Sequence, residues 1–150
     1  AGVGLMGVVA DAALAEGGEA IGVIPRSLFA AEIPHVAMTR LIEVRTMAER
    51  KARMFELADA VIALPGGFGT LDETFEALTN VQIGVGRHPT VLLADDGFWD
   101  PLVAWADRAR SSGFLADRHR ALLMSATTPE SALALLGSAP VPPDPKFAVE

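Results

Sequence analysis

The sequence contains no cysteine, which excludes disulfide bonds and thiolate metal sites and fits a reducing compartment, so we expect a cytoplasmic protein. It has no apolar run of membrane-spanning length, so we expect no membrane contact. Basic residues are few, 12 against 19 acidic ones, and the net charge of −7 argues against a general nucleic-acid binder. The 150 residues, 51 % of them hydrophobic, are typical of a globular domain that recognises a small molecule.

Several motifs that carry chemistry are also missing. His35, His88 and His119 are scattered without metal-ligand spacing, so we predict no metal site and place all three at the surface or in loops. No Gly-x-Ser-x-Gly elbow is present to expose a serine nucleophile. The glycine-rich stretch of the chain matches neither the P-loop pattern nor GxGxxG.

Apolar runs of strand length alternate with helical patterns along the chain. The predicted strands cover about residues 21–24, 41–44, 60–64, 89–94 and 122–125. The predicted helices cover about residues 5–16, 46–58, 70–83, 100–111 and 128–136. Because the strands are continuously apolar, they suit burial on both faces. The sequence therefore predicts an α/β fold, a Rossmann-like doubly wound parallel sheet with helices on both faces.

We expect one nucleotide-binding domain over residues 1–137, followed by a flexible proline-rich tail at 138–150. The chain starts inside a glycine-rich turn, so we expect further residues before it. The first predicted helix is apolar on most sides and should be well buried. Residues 26–38 lack a clean period and are predicted to form a loop with at most one helical turn.

The stretch from Ala60 to Glu73 combines a strand, a glycine turn and a helix start. Pro65 ends the apolar run, three glycines follow within four residues, and Thr70 is predicted to open the helix. Glycines allow backbone N–H groups to approach a ligand, and a helix start adds unpaired donors and a partial positive charge. The pattern favours an anion site, although a tight strand-to-helix connection alone would also explain it.

Glu73 allows two interpretations. Its spacing from Thr70 is that of a capping box, in which it would only cap the helix start. Alternatively, its carboxylate is held above the anion site as a general acid/base or a partner for a sugar hydroxyl. Because a bound phosphate would repel a carboxylate, Glu73 would then contact a neutral part of the ligand.

Arg50 and Lys51 fall within the apolar arc of the second long helix, whose start carries another capping-box spacing, Thr46 to Glu49. They are either snorkelling side chains or ligands for an anion, a role that suits the bidentate guanidinium of Arg50. Glu32 is either a partner for these cations or a solvated loop residue.

Four segments together closely resemble the LOG (Lonely Guy) family of cytokinin riboside 5′-monophosphate phosphoribohydrolases. They are Gly4-Leu5-Met6-Gly7, Ile21-Gly22-Val23-Ile24-Pro25, Glu49-Arg50-Lys51-Ala52 and Pro65-Gly66-Gly67-Phe68-Gly69-Thr70-Leu71-Asp72-Glu73. The resemblance covers residues 1 to about 137. It implies a Rossmann-like homodimer that hydrolyses the N-glycosidic bond of adenosine monophosphates, often N6-prenylated, without metal or organic cofactor. Family members begin about one strand-helix-strand unit earlier.

The resemblance also implies roles for individual residues. Arg50 and Glu73 match the family's catalytic positions. The implied substrate- and phosphate-binding residues are Glu32, Arg50, Lys51, Gly66, Gly67, Phe68, Gly69, Thr70, Leu71, Asp72 and Thr79. Two positions depart from the family pattern: Ala48 stands where histidine is frequent, and Phe68 where tyrosine is frequent.

Two other functions compete with hydrolysis. A Rossmann-like protein with this glycine turn can bind a nucleotide or cofactor without cleaving it, although the presence of both Arg50 and Glu73 favours the enzyme. A decarboxylase would require a pyridoxal phosphate lysine or an equivalent electron sink. Lys51 is the only lysine on a motif, and its neighbours do not suggest that chemistry.

Overall fold

A computed structural model describes residues 4–28 and 37–139 and shows a Rossmann-like α/β fold. The strands are β1 Ile21–Pro25, β2 Arg40–Val44, β3 Val61–Ala63, β4 Thr90–Leu93 and β5 Leu123–Ala126. The helices are α1 Gly4–Ala15, α2 Met47–Leu57, α3 Phe68–Gln82, α4 Asp100–Ser111, α5 Asp117–Arg120 and α6 Pro129–Gly137, with a 3₁₀ turn at Arg26–Leu28. Every predicted strand and long helix is confirmed, and only the short α5 is unpredicted.

The chain divides into two compact units, Ala1–Leu57 and Ala58–Glu150. Each unit contains its own parallel sheet within the part of the chain that is described. A single domain over residues 1–137 therefore stays a prediction. The predicted tail beyond residue 139, and most of the predicted loop with His35, lie outside the described residues.

The first unit pairs β1 with β2 in parallel. Ile21 lies opposite Arg40 and Pro25 lies opposite Val44, so the two strands are in register over their full length. Helix α2 packs against both strands. Ile24 and Pro25 are buried at the end of β1, where the apolar run of the sequence stops.

Helix α1 is exposed, which corrects the prediction that it is well buried. Only Gly7 and Ala10 are buried, and four large apolar side chains are 49–62 % exposed, namely Leu5, Met6, Val8 and Val9. The sequence pattern is that of a core helix, but no described helix or strand covers this surface. The helix ends at Ala15, one residue before its predicted end, and is followed by Gly17, whose φ of +76° suits a glycine after a helix C-terminus.

The second unit contains a three-stranded parallel sheet in the order β3-β4-β5. Val61 lies opposite Thr90, and Thr90 lies opposite Leu123. Because β4 is the central strand, Val91 and Leu92 are fully buried. A sheet in which adjacent residues of one strand are both buried must be covered on its two faces.

Two separate core clusters show that helices do cover both faces. Leu92 and Leu123 pack with Leu71 of α3 and Leu102 of α4. The residues that point the other way from the same strands pack against α6, in a cluster of Val91, Ala126, Ala132, Leu135 and Leu136. Since successive strand residues alternate between faces, α3 and α4 lie on one face and α6 lies on the other. The predicted doubly wound arrangement is therefore confirmed in this unit.

His119 is buried rather than at the surface, and the prediction for this residue was wrong. It lies on α5 at 6 % exposure, and its Nδ1 is 3.3 Å from Nε2 of Gln82 at the end of α3. This side-chain partner replaces water, so the polar ring tolerates burial.

Every helix in residues 4–28 and 37–139 is too short or too polar to cross a lipid bilayer.

Leu92→Ala removes a fully buried side chain at the centre of the sheet, so we expect the free energy of unfolding to fall by about 2–5 kcal/mol. Leu133→Ala is the matched control, because Leu133 on α6 is 63 % exposed. Urea denaturation measures both. Equal losses in the two variants would contradict the assignment of Leu92 to the core.

Candidate functional site

The glycine turn leads from β3 directly into α3. The helix begins at Phe68 with Gly67 as its N-cap, two residues before the predicted start at Thr70. Glycine is accepted at an N-cap because its backbone adopts the extended conformation found here without steric cost. Thr70 is therefore the third residue of the helix, and the predicted capping box between Thr70 and Glu73 is not formed.

The start of α3 presents free backbone donors. The first hydrogen bond of the helix runs from the N–H of Leu71 to the carbonyl of Gly67, at 3.1 Å. The N–H groups of the three preceding residues thus have no acceptor within the helix, and Gly67 provides no capping side chain. These donors, together with the positive end of the helix dipole, suit an anion such as a phosphate.

The three glycines of the turn differ in the space around them. A Cβ added to Gly66 would collide with the side chain of Thr70, whose Cβ would be 2.9 Å away. A Cβ added to Gly67 or Gly69 would meet no atom of the protein within 4 Å. Gly66 is therefore needed for the turn itself, while Gly67 and Gly69 leave open space beside the free N–H groups.

Glu73 lies on the same face of α3 as Gly69 and Thr70, which provide two of the three donors. It follows Gly69 by four residues and Thr70 by three, so their positions are neighbours on the helix surface. Glu73 is half-buried and lies about 4.5 Å along the helix axis from Thr70. An anion at the helix start would thus have a carboxylate about one turn away, where it can reach an uncharged part of the same ligand.

Two residues that the sequence analysis missed support the turn. Thr74 is 1 % exposed, and its Oγ1 donates a 2.6 Å hydrogen bond to the carbonyl of Thr70. Trp99 is 5 % exposed and belongs to the core cluster of Ala63, against which Leu71 packs. A threonine inside a helix can donate to the backbone carbonyl four residues before it, so Thr74 itself was a usable signal for the first contact, but nothing local in the sequence indicates the second.

Other predicted ligands on α3 are not placed on the face of Glu73. Phe68 is 92 % exposed at the first turn. Asp72 and Thr79 are both exposed and, seven residues apart, share a different face of the helix. Thr79 lies about 14 Å along the axis from Thr70. Binding roles for these three residues stay predictions.

Arg50 and Lys51 are half-buried on α2, in the first unit. The three other charged residues of α2 take part in ion pairs on its exposed surface: Arg53 with Glu56 at 2.7 Å, and Glu49 with Arg45 at 2.6 Å. Because Glu49 and Arg53 are half-buried as well, burial alone does not separate Arg50 and Lys51 from the other charges of α2.

The predicted capping box of α2 is formed. The N–H of Glu49 donates to Oγ1 of Thr46 at 3.1 Å, and the carboxylate of Glu49 accepts from the backbone N–H of Thr46 and, at 2.8 Å, from that of Arg45. The side-chain hydrogen bond from Arg45 lowers the pKa of Glu49 and raises the pKa of Arg45. Glu49 thus anchors the residues before the helix and stays ionised.

One predicted site residue, Glu32, lies outside the described residues, and its role stays a prediction. Among residues 4–28 and 37–139, no three histidine, aspartate or glutamate side chains are grouped so that they could hold a metal ion.

Comparisons with known proteins agree with the motifs. A family model described as "Possible lysine decarboxylase" matches residues 6–136. The cytokinin riboside 5′-monophosphate phosphoribohydrolase LOG of Oryza sativa subsp. japonica is 45 % identical over 126 residues. The cytokinin riboside 5′-monophosphate phosphoribohydrolases of Rhodococcoides fascians and Arabidopsis thaliana (LOG2) are 44 % and 42 % identical over 137 and 134 residues.

The chain spans only part of these relatives. The matches cover 84 %, 91 % and 89 % of this chain, but 52 %, 69 % and 63 % of the rice, Rhodococcoides fascians and Arabidopsis proteins.

Gly66→Ala should lower the free energy of unfolding by about 1–3 kcal/mol, because its Cβ forces Thr70 out of place. Gly69→Ala is the matched control and should be as stable as the parent or more so, since alanine favours a helix over glycine. Both variants should weaken binding of inorganic phosphate. Thermal unfolding and a phosphate titration measure these effects, and equal stability of the two variants would contradict the assignment.

Proposed function

Because the chain belongs to the LOG family, whose family model carries the description of a possible lysine decarboxylase, we propose that it hydrolyses the N-glycosidic bond of adenosine 5′-monophosphates. The bond between C1′ of the ribose and the base nitrogen breaks. The hydroxyl of a water molecule joins C1′, and the remaining proton goes to the base. The products are the free base and ribose 5-phosphate.

The observation that carries this proposal is the start of α3. Free N–H groups, open space beside Gly67 and Gly69, and a half-buried carboxylate about one turn further along occur together at the start of one helix. A nucleoside monophosphate has the matching order of groups, a phosphate followed by a neutral ribose. Phosphate at the helix N-terminus would bring the sugar toward Glu73 without placing like charges in contact.

The chemistry requires a carboxylate near the sugar. Cleavage of the glycosidic bond passes through an oxocarbenium-like ribose, whose positive charge a nearby carboxylate stabilises. Glu73 provides this charge, holds the ribose hydroxyls or orients the attacking water. Each of these roles depends on an ionised carboxylate that the half-buried position keeps close to the ligand.

Arg50 is the second catalytic residue of the proposal. Its guanidinium either anchors the ligand through a bidentate contact or assists departure of the base. The support is its position in the motif shared with the family and its half-buried place on α2. Lys51, Glu32, Phe68, Leu71, Asp72 and Thr79 are proposed as further ligand contacts on the family resemblance.

The proposed substrates are AMP and its N6-prenylated derivatives, as the family resemblance implies, and the relatives are named for cytokinin riboside 5′-monophosphates. We further propose a cytoplasmic homodimer. The absence of cysteine is consistent with this location, and the exposed apolar surface of α1 offers area that association can bury.

Glu73→Gln should keep the fold and nucleotide binding but lower the rate of base release by about 10²–10⁴-fold, because the amide cannot supply the negative charge. Glu76→Gln, on the same helix, is the matched control and should stay active. Base release from AMP and from N6-isopentenyl-AMP is followed by chromatography, and nucleotide binding by calorimetry.

The outcomes of that assay separate the two candidate functions. Base release by the parent chain that is lost in Glu73→Gln supports the hydrolase. Binding without release by the parent would leave a nucleotide-binding protein. Full activity in Glu73→Gln would remove this residue from the mechanism.

Arg50→Ala should lower kcat/KM by about 10²-fold, through both weaker binding and slower turnover, because a charged group that contacts the ligand is removed. Arg53→Ala controls for the loss of a cation from α2, since Arg53 is paired with Glu56 on the exposed surface. Steady-state kinetics of base release measure both variants. Unchanged kinetics in Arg50→Ala would show that this side chain only packs.

A further inference from the structure

The second unit contains a cavity of about 210 Å³. It lies beside the amino ends of the strands, away from the glycine turn. Arg87, His88 and Pro89 line it just before β4, and Leu122 lines it just before β5. Because the strands are parallel, the cavity lies at their amino ends, whereas the turn at residues 64–67 follows the carboxyl end of β3. The cavity and the turn therefore lie at opposite ends of the strands of one sheet.

The lining of the cavity is mostly apolar and includes two basic residues. Most of the wall comes from aliphatic side chains of four separate segments, including Leu78, Leu122, Met124 and Leu136. Arg87 and His88 are its ionisable residues, and no lining residue is acidic. In a chain with 19 acidic and 12 basic residues, a cavity with this lining selects against cations and favours a ligand with one negative group.

The backbone around the cavity is already hydrogen-bonded. The carbonyl of Pro89 accepts from the N–H of Val61 at 2.9 Å, and the carbonyl of His88 accepts from the buried Oγ1 of Thr90 at 3.2 Å. On the other side, the N–H of Leu122 donates to the carbonyl of His119 at 3.2 Å. These bonds fix the wall, beside which the guanidinium of Arg87 is exposed and can meet a polar group of a ligand.

We infer that this cavity is a second ligand site, which binds a small apolar carboxylate of about one aromatic ring. An apolar cavity of about 150 Å³ is enough to hold benzene, so 210 Å³ accommodates a ring with a short acidic substituent. The ring lies against the aliphatic wall, and the carboxylate contacts the exposed guanidinium of Arg87, a geometry that favours a bidentate pair. The inference is independent of the proposed hydrolase.

Phenylacetate is the probe, and 2-phenylethanol and acetate are its controls, since one lacks the charge and the other lacks the ring. Titration of the isotope-labelled 150-residue chain, followed by amide NMR, should show saturable binding of phenylacetate in the millimolar range or tighter. The shifts should concentrate at Leu78, Arg87 and Leu122. Both controls should bind at least several-fold more weakly.

Two variants test the two parts of the site. Arg87→Gln should weaken phenylacetate binding by about tenfold through loss of the charge-assisted hydrogen bonds, while Arg108→Gln, an exposed arginine of α4 outside the cavity, should leave binding unchanged. Ala121→Phe places a ring in the space that Ala121 lines and should abolish binding with Arg87 intact.

Three results would overturn the inference. They are the absence of saturable phenylacetate binding, equal binding of 2-phenylethanol, and unchanged affinity in both Arg87→Gln and Ala121→Phe.

Discussion

The close approach of the Thr70 side chain to the backbone of Gly66 is the contact on which the candidate site depends. Because Gly66 has no Cβ, Thr70 can pack over it, and the chain enters α3 at once with Gly67 as the N-cap. The hydroxyl of Thr74 then holds the carbonyl of Thr70. The free N–H groups of the first turn are thus oriented before any ligand arrives, and this preorganisation lowers the entropic cost of binding.

The sheet of the second unit keeps this turn in place. One core cluster contains Ala63 and Trp99, and Leu71 packs against it. The last residue of β3 and the first turn of α3 are therefore fixed by the same apolar contacts. Helix α6 covers the opposite face and closes the core there. The two ends of the strands therefore differ in chemistry. Backbone donors lie at the carboxyl end, and the apolar cavity beside Arg87 lies at the amino ends.

Local patterns in the sequence were enough to predict most of the elements. The apolar runs located the strands, and Thr128 caps α6 through a reciprocal hydrogen-bond pair with Ser131, as residues before a helix start commonly do. The start of α3 was predicted two residues too late, because a threonine side chain can cap a helix and glycine has no side chain. The packing of Thr70 against Gly66, which the sequence does not show, goes with the earlier start at Phe68. The motif pointed to the start of α3 and to Glu73 about one turn further along, and their roles in binding and catalysis stay predictions.

What could not be predicted depends on contacts between distant segments. His119 is buried because Gln82 meets it from another helix, and the lining of the cavity comes from α3, the segments before β4 and β5, and α6. The exposure of α1 is a property of what surrounds it rather than of its own apolar sequence.

The connection that forms the site also has a kinetic consequence. Helix α3 lies within the 26 residues, 64–89, that separate β3 from β4, so these parallel strands pair only after a long loop has closed. Closing that loop costs conformational entropy and slows the pairing, and the site depends on the sheet that this pairing builds.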